Sequence, residues 1–329
     1  MPLKPERVRI AILDDYQNVA LSMADWSVLE GCATVTVFND HLANADAVVA
    51  RLQPFEVVCV MRERTPMTRA VIERLPRLRL IASTATRNAS IDLRAAEERG
   101  VQVVHTGYSS APTIELTWAL ILACARHLVN ENASLRGGGW QRFVGDDLGG
   151  RTLGLLGLGN IGSAVAQIGK AFGMTVVAWS QNLTAERAAT AGALLVTKDE
   201  LFRQADFVSI HLVLSSRTRG LVGAAELALM KPTARLVNTS RGPIVIEADL
   251  VEALRNGKIA GAAIDVFDQE PLPLDPQPAE SAGDTAYRLR LARALRALLP
   301  GHGQQHQAMA RRPEVALARS GCNPTSVRR

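Results

Sequence analysis

Residues 152–172 read TLGLLGLGNIGSAVAQIGKAF, and the parsing of that stretch decides the fold. A short apolar run, TLGLL, stops at Gly157-Leu158-Gly159-Asn160-Ile161-Gly162, after which apolar residues recur at helical spacing to about Phe172. Strand, glycine-spaced turn and helix in that order make a dinucleotide-binding turn. Gly157 permits the tight bend, Gly159 lets the backbone approach a pyrophosphate, and Gly162 allows close helix packing. The helix N-terminus, at Asn160 and Ile161, offers main-chain N–H groups to the anion. A glycine-rich turn that binds nothing would not need the next strand, TVVAW at 175–179, on the far side of that helix.

Working outward, further strand-like runs fall at 194–196, 207–212, 235–238 and 262–267, separated by helical connections. With 152–156 and 175–179 they fit a doubly wound, six-stranded dinucleotide-binding sheet. Upstream, VRIAIL at 8–13 ends at Asp14-Asp15, and VVCVM at 57–61 and LRLIA at 78–82 repeat the pattern. Helical stretches at 68–75 and 93–99, the latter closed by Gly100, alternate with them, which predicts a second parallel sheet covered by helices. Between the two series, residues 113–128 are almost wholly apolar at helical length, a helix buried on several sides, followed by the glycine-rich loop RGGGW at 136–140. The fold class is therefore α/β, with two doubly wound parallel-sheet domains.

A chain of 329 residues, 47% hydrophobic, can bury a core in each of two domains. The longest uninterrupted apolar run, 118–125, is far too short to span a bilayer, and the charged start MPLKPERVRI is unlike a signal peptide, so no membrane and a cytoplasmic location are expected. Cys32, Cys59, Cys124 and Cys322 stand far apart with no CxxC pair, which suggests neither a disulfide framework nor a metal site; the first three read as small buried hydrophobes. The formal charge of +5 is unevenly spread: residues 276–329 hold nine arginines and three acids, leaving residues 1–275 at −1. The folded body has no cationic excess with which to bind a nucleic acid.

Three places at strand ends carry the chemistry. After TVVAW, Ser180 stands where an acid would bind the adenosine ribose hydroxyls, so nothing repels a 2′-phosphate; no arginine follows at once to clamp one, Arg187 being the nearest, and both NAD and NADP stay open. VNTSRGP at 237–243 sets Arg241 just beyond a buried strand, where its guanidinium can grip a carboxylate and polarise the adjacent carbonyl. GAAIDVFDQEP at 261–271 sets Asp265 and Glu270 beyond another.

These motifs, with HLVLSSRTRGLVG at 211–223, LMKPTARLVNTSRGPIV at 229–245 and RNASIDLRAAEERGV at 87–101, resemble the D-isomer-specific 2-hydroxyacid dehydrogenases over about residues 8–274. The apolar helix from Thr113 favours a homodimer; the resemblance implies a Rossmann cofactor domain (113–275) inserted into a flavodoxin-like substrate domain (1–112) and hydride transfer between NAD(P) and a small 2-hydroxy or 2-keto acid. It further implies that Arg241 binds the substrate carboxylate, that Glu270 pairs with a catalytic histidine, and that Asp265 sits beside the nicotinamide carboxamide. The loop at 83–88, including Ala85 and Asn88, would bind the carboxylate through main-chain N–H groups. Ala85 stands where the family pattern has glycine; if that position needs a positive φ, alanine strains it.

The larger departure is the tail, 276–329. The family's T-P-H-I-G-like segment, whose histidine moves the proton, has no counterpart after Glu270, and His302 and His306 lie in GHGQQH at 301–306 without the family pattern around them. Residues 283–293, GDTAYRLRLAR, can be back-translated so that reading one nucleotide later gives ATPHIGYVSR, the absent segment with its histidine. The tail thus reads as a frameshift near residue 276, and the chain as an impaired dehydrogenase. The alternative is a catalytically dead dinucleotide-binding protein with a basic interaction tail.

Overall fold

The computed structural model describes residues 7–84, 88–270 and 272. The chain divides into two compact units that adjoin in sequence at Ser109 and Ser110.

In the first unit, parallel strands β1 (Val8–Ile12), β2 (Ala33–Val37), β3 (Val57–Val60), β4 (Leu80–Ser83) and β5 (Gln102–His105) lie in the order β2-β1-β3-β4-β5, the flavodoxin-like arrangement. Helices α1 (Ala45–Leu52), α2 (Arg69–Ile72) and α3 (Leu93–Glu98) make crossovers. Alternate side chains separate into two cores. Ile10, Ile12, Val57, Cys59 and Leu80 pack on one face, and Ala11, Val58, Val60 and Ile81 on the other. Because both faces are covered, the inner strands are apolar at nearly every position rather than at every second one, Arg9 at the start of β1 and Ser83 at the end of β4 being the exceptions.

The edge strands β2 and β5 and the helix α1 were not among the expected elements. ATVTV and QVVH are half-buried edges whose polar residues blur the apolar signal. Helix α1 is only eight residues long and is set by its N-cap, Asn44, whose side chain accepts from Asp46 and Ala47 N–H.

The second unit begins with α4 (Ala111–Ala125) and α5 (Leu128–Arg136). The expected single apolar helix to residue 128 is thus corrected. It stops at Ala125, and His127, left-handed at φ 51°, turns the chain into a second helix. Strands β6 (Thr152–Leu156), β7 (Thr175–Trp179), β8 (Leu194–Leu195), β9 (Phe207–Ile210), β10 (Arg235–Asn238) and β11 (Gly261–Ile264) alternate with helices α6 (Asn160–Ala171), α7 (Ala185–Thr190), α8 (Lys198–Gln204), α9 (Ala224–Leu229) and α10 (Glu247–Arg255). All pairings are parallel and the order is β11-β10-β9-β6-β7-β8, so the topological switch falls between β6 and β9. Strands β9 and β11 end earlier than expected, at Ile210 and Ile264. Both therefore release their chain into turns at the sheet's carboxyl edge.

Again two cores flank the sheet, Leu153, Leu155, Phe207 and Val237 on one side and Leu156, Val208, Ile210 and Leu236 on the other. Arg235, a cation inside the central strand β10, is accommodated by Asp146 at 2.7 Å and by the Phe207 ring at 5.5 Å.

Of the three cysteines expected to be buried, Cys59 is, whereas Cys32 and Cys124 are half-buried against the cores. Among the described residues, no helix is long and apolar enough to cross a membrane, and no group of three or more His, Cys, Asp or Glu is placed to hold a metal ion. The tail, including His302 and His306, lies outside the described residues, as does any return of the chain that would make one domain an insertion in the other.

Candidate active site

In a parallel sheet every strand releases its chain at the same edge, so the turns after β6, β7, β9, β10 and β11 converge. The turn after β6 is the glycine turn. Gly157 has φ +99°, its N–H donates to the Trp179 carbonyl at 2.8 Å, and a Cβ there would lie 2.6 Å from the His211 carbonyl oxygen. Gly162 is tighter still, since its Cβ would stand 2.2 Å from the Gly157 carbonyl oxygen. Gly159 is the opposite case. It is exposed, with nothing within 4 Å of where its Cβ would be. Two glycines are thus demanded by the fold, while the third leaves open space above the first turn of α6, where the N–H groups of Asn160, Ile161 and Gly162 have no intrahelical acceptor. That is the shape and polarity a pyrophosphate requires, so the residues present fit a dinucleotide.

Ser180 follows Trp179, half-buried, with its carbonyl accepting from Leu183 N–H at 3.1 Å. The bond from Gly157 to Trp179 sets it beside the glycine turn.

His211, just beyond β9, is a residue to which the sequence assigned no role. Its N–H donates to the Leu156 carbonyl at 2.7 Å, and its Nε2 lies 2.9 Å from the hydroxyl of the buried Ser209. Burial pushes its imidazole down to about 4, so it is neutral in the folded protein.

The turns after β10 and β11 are stitched together by Asn238, 1% exposed. Its main-chain carbonyl accepts Asp265 N–H at 3.0 Å, its Oδ1 accepts Ser240 N–H at 3.0 Å, and its Nδ2 donates to the Arg241 carbonyl at 3.0 Å. Thr239 is joined to Thr117 of α4, the hydroxyls 2.8 Å apart. Arg241 is half-buried, with Nη1 donating to the Ser240 carbonyl at 2.8 Å. The next residue, Gly242, touches the other turn, for a Cβ on it would fall 2.2 Å from the Phe267 carbonyl carbon. Glu270, also half-buried, accepts Phe267 N–H through Oε1 at 3.0 Å.

Arg241, Asp265 and Glu270 therefore share the edge that holds Gly157, Gly159, Asn160, Ile161, Gly162 and Ser180. The sequence offered two unused signals for the residues that join them: an Asn ending a strand two residues before a Ser, the pattern of a side-chain-closed turn, and the Gly between Arg241 and Pro243.

In the first unit, Asn88 is buried and its amide is turned inward, with Nδ2 donating to the Arg62 carbonyl at 2.5 Å and to Ser83 Oγ at 3.1 Å and Oδ1 accepting from Ser90. Arg62 N–H in turn donates to Thr84 Oγ1 at 2.8 Å, so this residue anchors the loop at the end of β4. Ala85 lies outside the described residues.

The order of the second sheet, its glycine turn and the neighbouring arginine and acids define a doubly wound dinucleotide-binding protein with ionic groups at its carboxyl edge. The chain belongs to the D-isomer specific 2-hydroxyacid dehydrogenase family, whose NAD binding domain matches residues 118–281. It is 46% identical over 212 residues to a glyoxylate reductase of Aeropyrum pernix, covering 61% of this chain and 63% of that protein. It is 37% identical over 238 residues to a hydroxypyruvate reductase of Thermotoga maritima, covering 71% and 76%. The crystal structure of a phosphoglycerate oxidoreductase from Vibrio cholerae superposes with a TM-score of 0.79 at 35% identity, covering 95% of this chain and 99% of that one. The chain spans less than two thirds of the length of the Aeropyrum relative. NAD(P) is accordingly the dinucleotide of the glycine turn.

The contrast between the glycines is testable. Gly159→Ala is expected to melt within about 2 °C of the parent yet to bind NADH and NADPH at least about tenfold more weakly, a difference of roughly 1.4 kcal/mol. Gly162→Ala should lose binding together with about 1–3 kcal/mol of stability from overpacking. Energy transfer to bound nicotinamide and thermal melts read both, and parental affinity in Gly159→Ala would refute the assignment.

The neutral His211 has a pH consequence. Its folded pKa, about 4, lies below the ordinary 6.5, so the unfolded chain takes up the proton first. The stabilising contribution is complete above pH 6.5 and is lost as pH falls toward 4. Urea unfolding across that window should show a shallower loss of stability in His211→Gln; an unchanged slope would mean that the ring titrates alike in both states.

Proposed function

We propose that this chain is an NAD(P)-dependent oxidoreductase of small 2-hydroxy and 2-oxo acids whose turnover is held low by the altered tail. The observation that carries the reading is the join between the two turns. Arg241 and Glu270 are fixed to one another through Gly242 against Phe267, at the same sheet edge as the glycine turn. In this reading residues 1–112 form the substrate lobe, residues 113–275 the cofactor domain, and residues 276–329 a tail translated in an altered frame.

Bound at the glycine turn, a reduced nicotinamide supplies the hydride. Asn160, Ile161 and Gly162 would hold the pyrophosphate by main-chain N–H groups, and Ser180 would leave room for NAD or NADP at the ribose. Asp265, whose N–H is fixed to the Asn238 carbonyl, would hold the carboxamide. Arg241 takes the substrate carboxylate bidentately, which directs the neighbouring carbonyl and polarises it. The loop anchored by Asn88, and containing Ala85, takes the same carboxylate by main-chain N–H groups. Glu270, a carboxylate held by Phe267 N–H, is placed to orient and charge-stabilise an imidazole. The chain after Glu270 offers no family-like histidine, so the proton to the carbonyl oxygen lacks its donor.

General acid catalysis contributes roughly 10²- to 10⁴-fold. Reduction of glyoxylate, pyruvate and hydroxypyruvate should therefore run that far below an ordinary turnover of about 10 s⁻¹. Replacing the chain from about codon 276 by its alternate-frame translation should recover the difference. Glu270→Gln should then lower activity in the restored protein and change little in the chain as it stands; equal losses in both would mean that Glu270 acts independently of the tail. Failure of restoration, together with salt-sensitive nucleic-acid binding by the tail, would favour the dead dinucleotide-binding protein with a basic arm.

The homodimer belongs to the same reading. Trp140 is 74% and Val144 93% exposed, and Leu128, Leu135 and Phe143 of the same segment are exposed too, apolar side chains that suit a second copy better than water. Sedimentation at micromolar concentration should give a dimer mass that Trp140→Asp with Val144→Asp shifts to monomer. A monomeric parent would exclude this assembly.

A further inference from the structure

Ser240 joins the turn that carries Arg241 to the dinucleotide side of the site. Three groups of Ser240 are engaged at once. Its N–H donates to Asn238 Oδ1 at 3.0 Å, its carbonyl accepts Arg241 Nη1 at 2.8 Å, and its hydroxyl donates a short hydrogen bond to the Leu212 carbonyl. Leu212 is the residue after His211, whose carbonyl abuts Gly157 and whose Cβ would lie 3.6 Å from a Cβ on Gly162. A continuous path of contacts therefore runs from the glycine turn through the main chain of 211–212 to the Ser240 hydroxyl, and from the Ser240 carbonyl to the guanidinium.

The orientation of an arginine fork depends on the peptide to which it is tied. Here that peptide belongs to Ser240, and its tilt is fixed from one side by Asn238 and from the other by Leu212. The main-chain bond to Asn238 would survive any side chain at this position, but the bond to Leu212 exists only with a hydroxyl. Without it the turn keeps its closure within β10 and loses its registration against the glycine turn, and the half-buried Leu212 carbonyl is left without that donor.

We propose that Ser240 is a positioning residue that registers Arg241 against the dinucleotide turn, so that a 2-oxo carboxylate is held in place beside bound nicotinamide. The proposal rests on the reading of Arg241 as the carboxylate grip. Dinucleotide affinity is set by Gly159 and the α6 N-terminus and does not involve the hydroxyl; anion affinity in the dinucleotide complex does.

The test uses the full chain and two titrations, NADH into free protein and oxamate, an isosteric mimic of a small 2-oxo acid, into the NADH-saturated protein. Ser240→Ala should bind NADH within about twofold of the parent and oxamate about three- to tenfold more weakly, the range of a single hydrogen bond. Ser240→Thr, which keeps the hydroxyl, should recover most of that loss. Arg241→Gln is the control for the underlying reading and should abolish oxamate binding while NADH still binds. Ser240→Ala with parental oxamate affinity, or with NADH and oxamate weakened alike, or without recovery in Ser240→Thr, would overturn the role of Ser240 while the Arg241→Gln result leaves the grip standing. Unchanged oxamate binding in Arg241→Gln, or none in the parent, would remove the grip and this proposal with it.

Discussion

A side chain on Gly162 would lie 2.2 Å from the Gly157 carbonyl oxygen, a separation no Cβ tolerates, and from that exclusion the arrangement of the second unit follows. It lets α6 approach β6 to backbone distance, and the helix continues the theme along one face. Ala166 is fully buried, and a Cβ on Gly169 would sit 2.9 Å from Leu153 and 3.6 Å from Trp118. A helix so close to the strand points its N-terminus at the gap between β6 and β9, where the strand order reverses. The anion-binding property and the packing are thus one feature, since larger residues would push the helix outward and move the N–H groups away from the switch point.

The other turns at that edge are subject to a different constraint, the cost of a polar group that is buried without a partner, about 1–3 kcal/mol each. Asn238 is almost fully buried and answers it with three bonds, which fix Asp265, Ser240 and Arg241 relative to one another. Gly242 adds a steric constraint, because its contact with the Phe267 carbonyl leaves the turns after β10 and β11 only one close approach. Charged groups that would repack freely on an open surface are in this way held by the main chain, and a site whose donors are already fixed loses less entropy on binding.

The legibility of all this in the sequence divides along physical lines. The central strands were readable because burial on both faces makes them continuous apolar runs, and the glycine turn because steric necessity restricts Gly157 and Gly162 to one residue type and ligand approach calls for a third glycine between them. Edge strands such as Ala33–Val37 escaped since exposure admits threonine, and the break at His127 escaped since a single left-handed residue leaves no periodic trace. Arg241, Asp265 and Glu270 stood out as ions at strand ends, whereas Asn238 and His211 did not. Their importance lies in whom they touch across strands distant in sequence, and the neutral state of His211 depends on burial that no local pattern encodes.

Binding and proton transfer depend on different lengths of this chain. Every group that would hold the dinucleotide or the carboxylate in the second unit is in place by Glu270, within strands whose register is fixed by hydrogen bonds to their neighbours. Among the described residues the six strands of this sheet pair with one another, and the glycine turn takes its geometry from β6, β7 and β9. The glycine, asparagine and serine contacts that build the edge are all made between residues upstream of Glu270.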